Sequence, residues 1–145
     1  MNDTFFFSAP QLKRDSLGGA TPKGSTHIID VILKRFESPD EVRPFPRGRL
    51  ELVTIGGVTI GRTTYEPGFK WSVDESPSAG TSRCYLEHVG LVLQGRATVA
   101  FDDGRTWELA PGALFHIPAE PHDIVVAGDE PYVSLHFIGD GYLSK

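Results

Sequence analysis

The residues in this sequence that are best suited to chemistry are a thiol and an imidazole. Cys84 and His88 stand four positions apart at the entrance of an apolar run, "CYLEHVGLVLQG" (84–95). Cys84 is the only cysteine, so the sequence excludes an internal disulfide and implies no oxidising compartment. The pair either binds a ligand such as a metal ion or fills the core, since a lone buried cysteine usually behaves as a small apolar residue.

The spacing of the pair sets a geometric condition on any shared ligand. On a flat strand, positions i and i+4 lie about 13 Å apart, at roughly 3.3 Å per residue. Two ligands of one ion must be much closer than that. Cys84 and His88 can therefore meet at one ion only if residues 85–87 bend and His88 begins its strand.

The elements that must position this pair are short strands. Apolar and β-branched runs alternate with Gly- and Pro-containing turns such as "DDG" (102–104) and "APG" (110–112), and helical periodicity is almost absent. This pattern predicts an all-β sandwich or barrel of antiparallel hairpins. The predicted strands are 26–33, 49–55, 58–66, 88–94, 96–101, 105–110, 113–118, 123–128 and 132–137.

Three local features complete the predicted organisation. The clearest hairpin spans 96–110. Residues 38–42 predict one short helical turn, with Ser38 as its cap, and residues 72–82 predict a polar loop in front of the chemical pair. Residues 1–25 predict an irregular arm. The hairpin side chains expected to face inward are Ala97, Val99, Phe101, Trp107 and Leu109.

Length and charge restrict the function classes. A chain of 145 residues fits one domain with a real core. The net charge of −5 disfavours nucleic acid as a partner, and no apolar run approaches the length of a membrane span. The N-terminal residues lack the basic region and apolar core of a signal peptide. We therefore expect a cytoplasmic protein with a small-molecule ligand.

The block from 65 to 131 resembles a small single-domain cupin. Gly95 and Gly112 stand at family positions, Pro118 follows Gly112 in "GALFHIP", and His122 takes the place of the second motif's histidine. The resemblance implies a double-stranded β-helix, or jelly-roll barrel, formed by one domain over 26–145.

The first cupin motif is altered in this sequence. Counted back from Gly95, the positions of the usual His-any-His pair hold Ser82 and Cys84, and the glutamate position holds His88. The chain thus resembles a divergent cupin subgroup of mostly uncharacterised bacterial proteins. By position the resemblance implies a divalent metal held by Cys84, His88 and His122.

The donor set favours zinc, with iron, nickel or manganese as alternatives. An iron oxygenase more often uses two histidines and a carboxylate. Asp123 and Glu87 are close enough in sequence to supply one, but both neighbour inward-facing residues and are expected to point outward.

Further residues are weaker candidates for the ligand pocket: Ser82, Arg62, Tyr65 and His136. Arg62 is either an anion-binding fork or a surface arginine. His136 shares a face with Tyr132 and Ser134, and the sequence leaves open whether that face is the pocket or the outside. His116 is expected on the outer face or packed.

Three functions remain open at this point. The first is a metal-dependent enzyme acting on a small organic molecule, and the second is a metal-free module that binds or senses a small molecule. A third is metal-independent acid–base catalysis by His88 or His122. A homodimer is also predicted, in which the Phe-rich arm (5–7) and strand 26–33 add to a partner's sheet edge.

Overall fold

The computed structural model describes residues 30–137, and every structural statement below concerns those residues. By its internal contacts the chain divides into two compact units, Met1–Val31 and Ile32–Lys145. The described residues of the first unit, Asp30 and Val31, form neither helix nor strand. The second unit carries all the elements described here. The predicted arm (1–25) lies outside the described residues.

The described part of this unit, residues 32–137, contains nine antiparallel strands and two one-turn helices. The strands form a six-stranded sheet in the order β1-β2-β3-β9-β4-β7 and a three-stranded sheet in the order β6-β5-β8. The all-β prediction is therefore confirmed. Pairing does not continue from one sheet into the other among residues 30–137, so a closed barrel is not confirmed. The elements are β1 (Glu41–Phe45), β2 (Gly48–Ile55), β3 (Val58–Tyr65), α1 (Trp71–Asp74), α2 (Ser76–Ala79), β4 (His88–Gln94), β5 (Ala97–Phe101), β6 (Thr106–Leu109), β7 (Leu114–Ile117), β8 (His122–Val125) and β9 (Tyr132–Phe137).

Strand register directs one face of the large sheet toward the core. Burial alternates along β4 and β9, so that His88 and Val92 on β4, and Ser134 and His136 on β9, are buried. The same face continues into β3 at Thr63, which pairs with Ser134. Aromatic and aliphatic side chains from both sheets and from the segment around α1 form the core, among them Tyr65, Phe69, Trp71, Val99, Phe101, Ile124 and Tyr132.

The predicted helical turn at 38–42 is wrong, because Glu41–Phe45 form strand β1. This strand pairs with β2 through a tight turn in which Arg47 has a positive φ of 59°. Pro44 lacks an N–H for the ladder, and an edge strand tolerates that loss. The sheet order places β1 at the edge.

Two more local predictions need correction. The predicted loop at 72–82 contains most of α1 and all of α2. The predicted strand at 26–33 is not a strand over its described part, residues 30–33. Within residues 30–137, no helix is long and apolar enough to span a membrane.

Trp107 is not in the hairpin core, as its side chain is 62% exposed. The register pairs Trp107 with Val99, so its face was predicted correctly. However, β6 is the edge strand of its sheet, so Trp107 has a neighbouring strand on one side only. Leu109 on the same strand is buried as expected, and so are Ala97, Val99 and Phe101.

Candidate metal centre and adjoining cavity

Backbone pairing brings Cys84 and His122 together. The Cys84 N–H donates to the His122 carbonyl at 2.9 Å, and the His122 N–H donates to the Cys84 carbonyl at 3.0 Å. This is a hydrogen-bonded antiparallel pair, whose side chains leave the backbone on the same face. The thiol and the imidazole are therefore neighbours although they are far apart in sequence.

The chain between Cys84 and His88 bends as the spacing required. Residues 85–87 have no regular structure, and His88 is the first residue of β4. The bend brings Cys84 Sγ to 3.3 Å from His88 Nε2, which is a hydrogen-bond distance for sulfur.

The three side chains converge on one small volume. One ligand atom from each of Cys84, His88 and His122 lies within 4.8 Å of the others, and all three residues are buried. In a tetrahedral zinc site, bond lengths of about 2.0 to 2.3 Å place neighbouring ligand atoms roughly 3.5 Å apart. The distance of 3.3 Å between Cys84 Sγ and His88 Nε2 already matches that value. Small side-chain movements would bring the other ligand-atom distances, which are at most 4.8 Å, to the same value. The donor set thus fits a zinc ion.

His122 has the electronic state that a metal ligand needs. Its Nδ1 lies 2.7 Å from the carbonyl oxygen of Glu120, and since a carbonyl only accepts, Nδ1 carries the proton. Nε2 is then a bare lone pair, and it is buried without a hydrogen-bond partner. Burial lowers the pKa of His122 below its ordinary value, against the opposing effects of the Glu120 carbonyl and Asp123. The ring is therefore neutral near neutral pH.

His136 lies on the inner face, next to His88. The two ring centroids are 5.6 Å apart in an edge-to-face arrangement, and the His136 Nε2 is 2.9 Å from the Ser134 hydroxyl. Gly61 on β3 and Gly90 on β4 are its partners in register. Burial lowers the pKa of His136 to about 4. His136 is thus a neutral ring that packs behind His88.

The carboxylates near these histidines point elsewhere. Asp123 is buried and accepts the Ser72 N–H at 2.9 Å and the Ser72 hydroxyl at 2.6 Å, so it fixes the first turn of α1. The exposed Glu87 lies 3.3 Å from His116 on the outer face. Neither joins the cluster of Cys84, His88 and His122.

A cavity of about 250 Å³ opens onto the thiol and the first imidazole. Its walls come from β1, β2, β3, the two helices and the bend after Cys84. Of the weaker candidates, Tyr65 lines it. Among residues 30–137, the side chains that line it are those of Arg43, Pro44, Phe45, Leu50, Thr63, Tyr65, Trp71, Glu75, Ser78, Ala79, Cys84, Leu86 and His88.

The other weak candidates lie outside this lining. Ser82 is exposed in the loop before Cys84. Arg62 donates to the Glu51 carboxylate at 2.6 Å and lies 3.4 Å from Glu37, so the structure places it as an ion-paired arginine on the opposite face from Thr63.

Sequence reasoning missed the contribution of β1 to the cavity. Arg43 and Phe45 alternate around Pro44, which is a two-residue period typical of a strand, but the charges and the proline obscured it. Trp71 is also part of the cavity wall, where it is buried. The partnership of Asp123 with Ser72 has no sequence signal, because it joins segments that only the fold brings together.

Comparison with known proteins agrees with this architecture. Residues 85–138 match the family model described as a cupin domain. No curated protein matches the sequence significantly.

Solved structures share the fold at low identity. The polyketide cyclase RemF from Streptomyces resistomycificus is 17% identical over 74% of this chain and 78% of its own, with a TM-score of 0.54. Ectoine synthase from P. lautus is 13% identical over the same shares, with a TM-score of 0.53. A Cupin 2 conserved barrel domain protein from Salinispora arenicola CNS-205 is 15% identical over 76% of this chain and 92% of its own, with a TM-score of 0.52. The matched domain, which spans residues 85–138, and the shared fold together support a cupin superfamily protein.

Proposed function

We propose that the protein binds one divalent metal ion through Cys84, His88 and His122, and a small organic ligand in the adjoining cavity. The observation that carries this proposal is the convergence of three buried donor atoms within 4.8 Å. Buried polar atoms normally have hydrogen-bond partners. The orphaned Nε2 of His122 is an exception that a metal ion would explain.

Zinc is the ion that these residues fit best. One thiolate and two neutral imidazoles form a donor set that zinc takes in catalytic sites, where three protein ligands leave a fourth position open. The carboxylate that an iron oxygenase would use is turned toward Ser72. Iron, nickel and manganese remain alternatives that metal analysis distinguishes.

The proposed activity is a metal-dependent reaction on the ligand in the cavity. A bound zinc ion supplies a Lewis acid, which polarises a ligand oxygen or lowers the pKa of a bound water. The chain's own residues do the rest. Tyr65 and Trp71 exclude water from the ligand, and the buried ring of His136 packs against His88 and holds its orientation.

The fold neighbours are compatible with catalysis without identifying a reaction. RemF is a polyketide cyclase and the P. lautus protein is an ectoine synthase, so the same fold supports different chemistries. The proposal also takes residues 26–145 as one jelly-roll barrel domain.

Metal analysis of purified protein tests the proposal. We expect near-stoichiometric metal in the wild type, and loss of that metal in His88→Ala and in His122→Ala. His116→Ala is the matched control, because His116 is an exposed histidine outside the cluster, and it should retain the metal. Retention of metal in both cluster variants would overturn the proposal.

One observation favours a second function, a metal-free module that binds a small molecule. Cys84 Sγ and His88 Nε2 already hydrogen-bond to each other at 3.3 Å, so these two groups are satisfied without an ion. A wild-type protein that takes up no metal on reconstitution, yet binds small molecules in the cavity, would establish this function instead.

The predicted homodimer and cytoplasmic location belong to the same proposal. Light scattering at micromolar concentration tests the dimer, and a monomeric mass would count against it. The acidic net charge supports a protein without a nucleic-acid partner.

A further inference from the structure

We propose that the cavity takes a small, mainly apolar ligand of about one ring with a single polar end, and that it rejects sugars. The inference rests on the proposed function for the position of the ligand's polar end, which faces Cys84 and His88. The class of ligand follows from the walls and the size of the cavity.

The walls are apolar along most of their length. Leu50 and Trp71 are buried there, and Phe45, Ala79 and Leu86 pack against the same core. A sugar exposes a hydroxyl on nearly every carbon, and each one would lose its water at such a wall without a compensating hydrogen bond. The hydroxyls that the buried wall offers are those of Thr63 and Tyr65. An apolar ring loses nothing there and gains from burial.

The size of the cavity limits the ligand to about one ring. Pockets that hold drug-sized molecules measure roughly 300–1,000 Å³. This cavity is smaller, at about 250 Å³. Its aromatic side chains, Phe45, Tyr65 and Trp71, offer flat surfaces on which a planar ring can stack.

The cavity has a polar end and an apolar body, and this fixes the ligand's orientation. Cys84 and His88 are buried at its inner end, whereas Ser78 and Pro44 are exposed at its rim. A ligand with one oxygen on a ring, such as a phenol or a benzoate, places that oxygen at the inner end and its ring against the walls.

Tryptophan fluorescence provides a direct binding test. The chain has two tryptophans. Trp71 lies in the cavity wall, while Trp107 is exposed and outside the lining. The Trp107→Phe variant therefore reports from Trp71 alone. We would titrate it with phenol, benzoate, glucose and glucose 6-phosphate, in the metal-free and the zinc-treated protein, and measure metal content in the same samples.

The expected result is a saturable change in Trp71 emission with phenol and benzoate, and none with either sugar. Ala79→Phe adds a large side chain to the cavity wall and should weaken aromatic binding at least tenfold. Ala127→Phe is the matched control at an exposed position outside the lining, and should bind as the parent does.

Each outcome decides one proposal at a time. Saturable binding of a sugar, absence of binding by both aromatic probes, or equal binding by Ala79→Phe would overturn the inference on ligand class. Aromatic binding in a protein that holds no divalent metal, either as purified or after zinc treatment, would leave this inference standing and overturn the metal proposal. Zinc uptake without aromatic binding would overturn this inference and leave the metal proposal standing.

Discussion

Removing the carboxylate of Asp123 should destabilise the turn of α1, which forms part of the cavity wall. Asp123 is 6% exposed and accepts three hydrogen bonds: the Ser72 N–H at 2.9 Å, the Ser72 hydroxyl at 2.6 Å and the Ile124 N–H at 3.0 Å. Hydrogen bonds to a charged group contribute roughly 1.5–3 kcal/mol each. The Ile124 bond is between adjacent residues, and water will enter the space that the side chain leaves. We therefore expect Asp123→Ala to lower the free energy of unfolding by about 3 kcal/mol.

Urea denaturation and Trp71 emission measure this effect together. Trp71 is the first residue of α1, so in the Trp107→Phe background its emission should shift to the red when the turn loosens. Asp123→Asn keeps an acceptor for the two N–H groups and should lose about half as much stability. Asp102→Ala removes an exposed aspartate paired with Arg83 and should cost less than about 1 kcal/mol. A loss below about 1 kcal/mol in Asp123→Ala, with unchanged Trp71 emission, would refute the assigned role.

Two further predictions concern the sheet. Gly90→Ala should lower the free energy of unfolding by about 1–3 kcal/mol in urea denaturation. The added methyl group would collide with the Leu135 carbonyl and approach the Phe115 ring to 2.5 Å. Gly128→Ala is the control and should be nearly neutral, because the nearest contact of its methyl group would be at 3.9 Å. Burial alone would raise the pKa of Glu51, but hydrogen bonds from Arg62 and Arg49 hold it below the ordinary 4.5. The carboxylate's stabilisation is thus complete above pH 4.5 and is lost as the pH falls through the lower folded value. Glu51→Gln should therefore destabilise the protein at pH 7 and flatten the pH dependence of its urea midpoint below pH 4.5; an unchanged pH profile would contradict the assignment.

The strands that the sequence predicts correctly are those whose burial follows local alternation. In β4 and β5, alternate apolar residues face the core, and a Gly-containing turn separates the strands. In β1 the alternation is carried by Arg43 and Phe45 around Pro44, so the pattern is visible only once the pairing with β2 is known. Trp107 shows a different limit. The sequence predicts which face of β6 carries its side chain, but it does not predict that β6 is an edge strand, which leaves that side chain exposed.

The candidate site was predictable to a similar degree. The bend between Cys84 and His88 followed from strand geometry, and His122 from the motif that it occupies. The ladder pair that joins Cys84 to His122 depends on tertiary pairing, as does the turn of Asp123 toward Ser72. The face of His136 became clear only when β9 was placed between β3 and β4.

Cobalt(II) titration of the metal-free protein, followed by absorption spectroscopy, addresses the three-residue metal centre most directly. Cobalt(II) replaces zinc in such sites and reports each donor, because a thiolate ligand adds a near-ultraviolet charge-transfer band and a tetrahedral site gives intense visible bands. We expect both features at one equivalent of cobalt, loss of the charge-transfer band in Cys84→Ser, and loss of both in His122→Ala. A spectrum of hydrated cobalt alone, or a charge-transfer band that persists in Cys84→Ser, would contradict a metal centre formed by Cys84, His88 and His122.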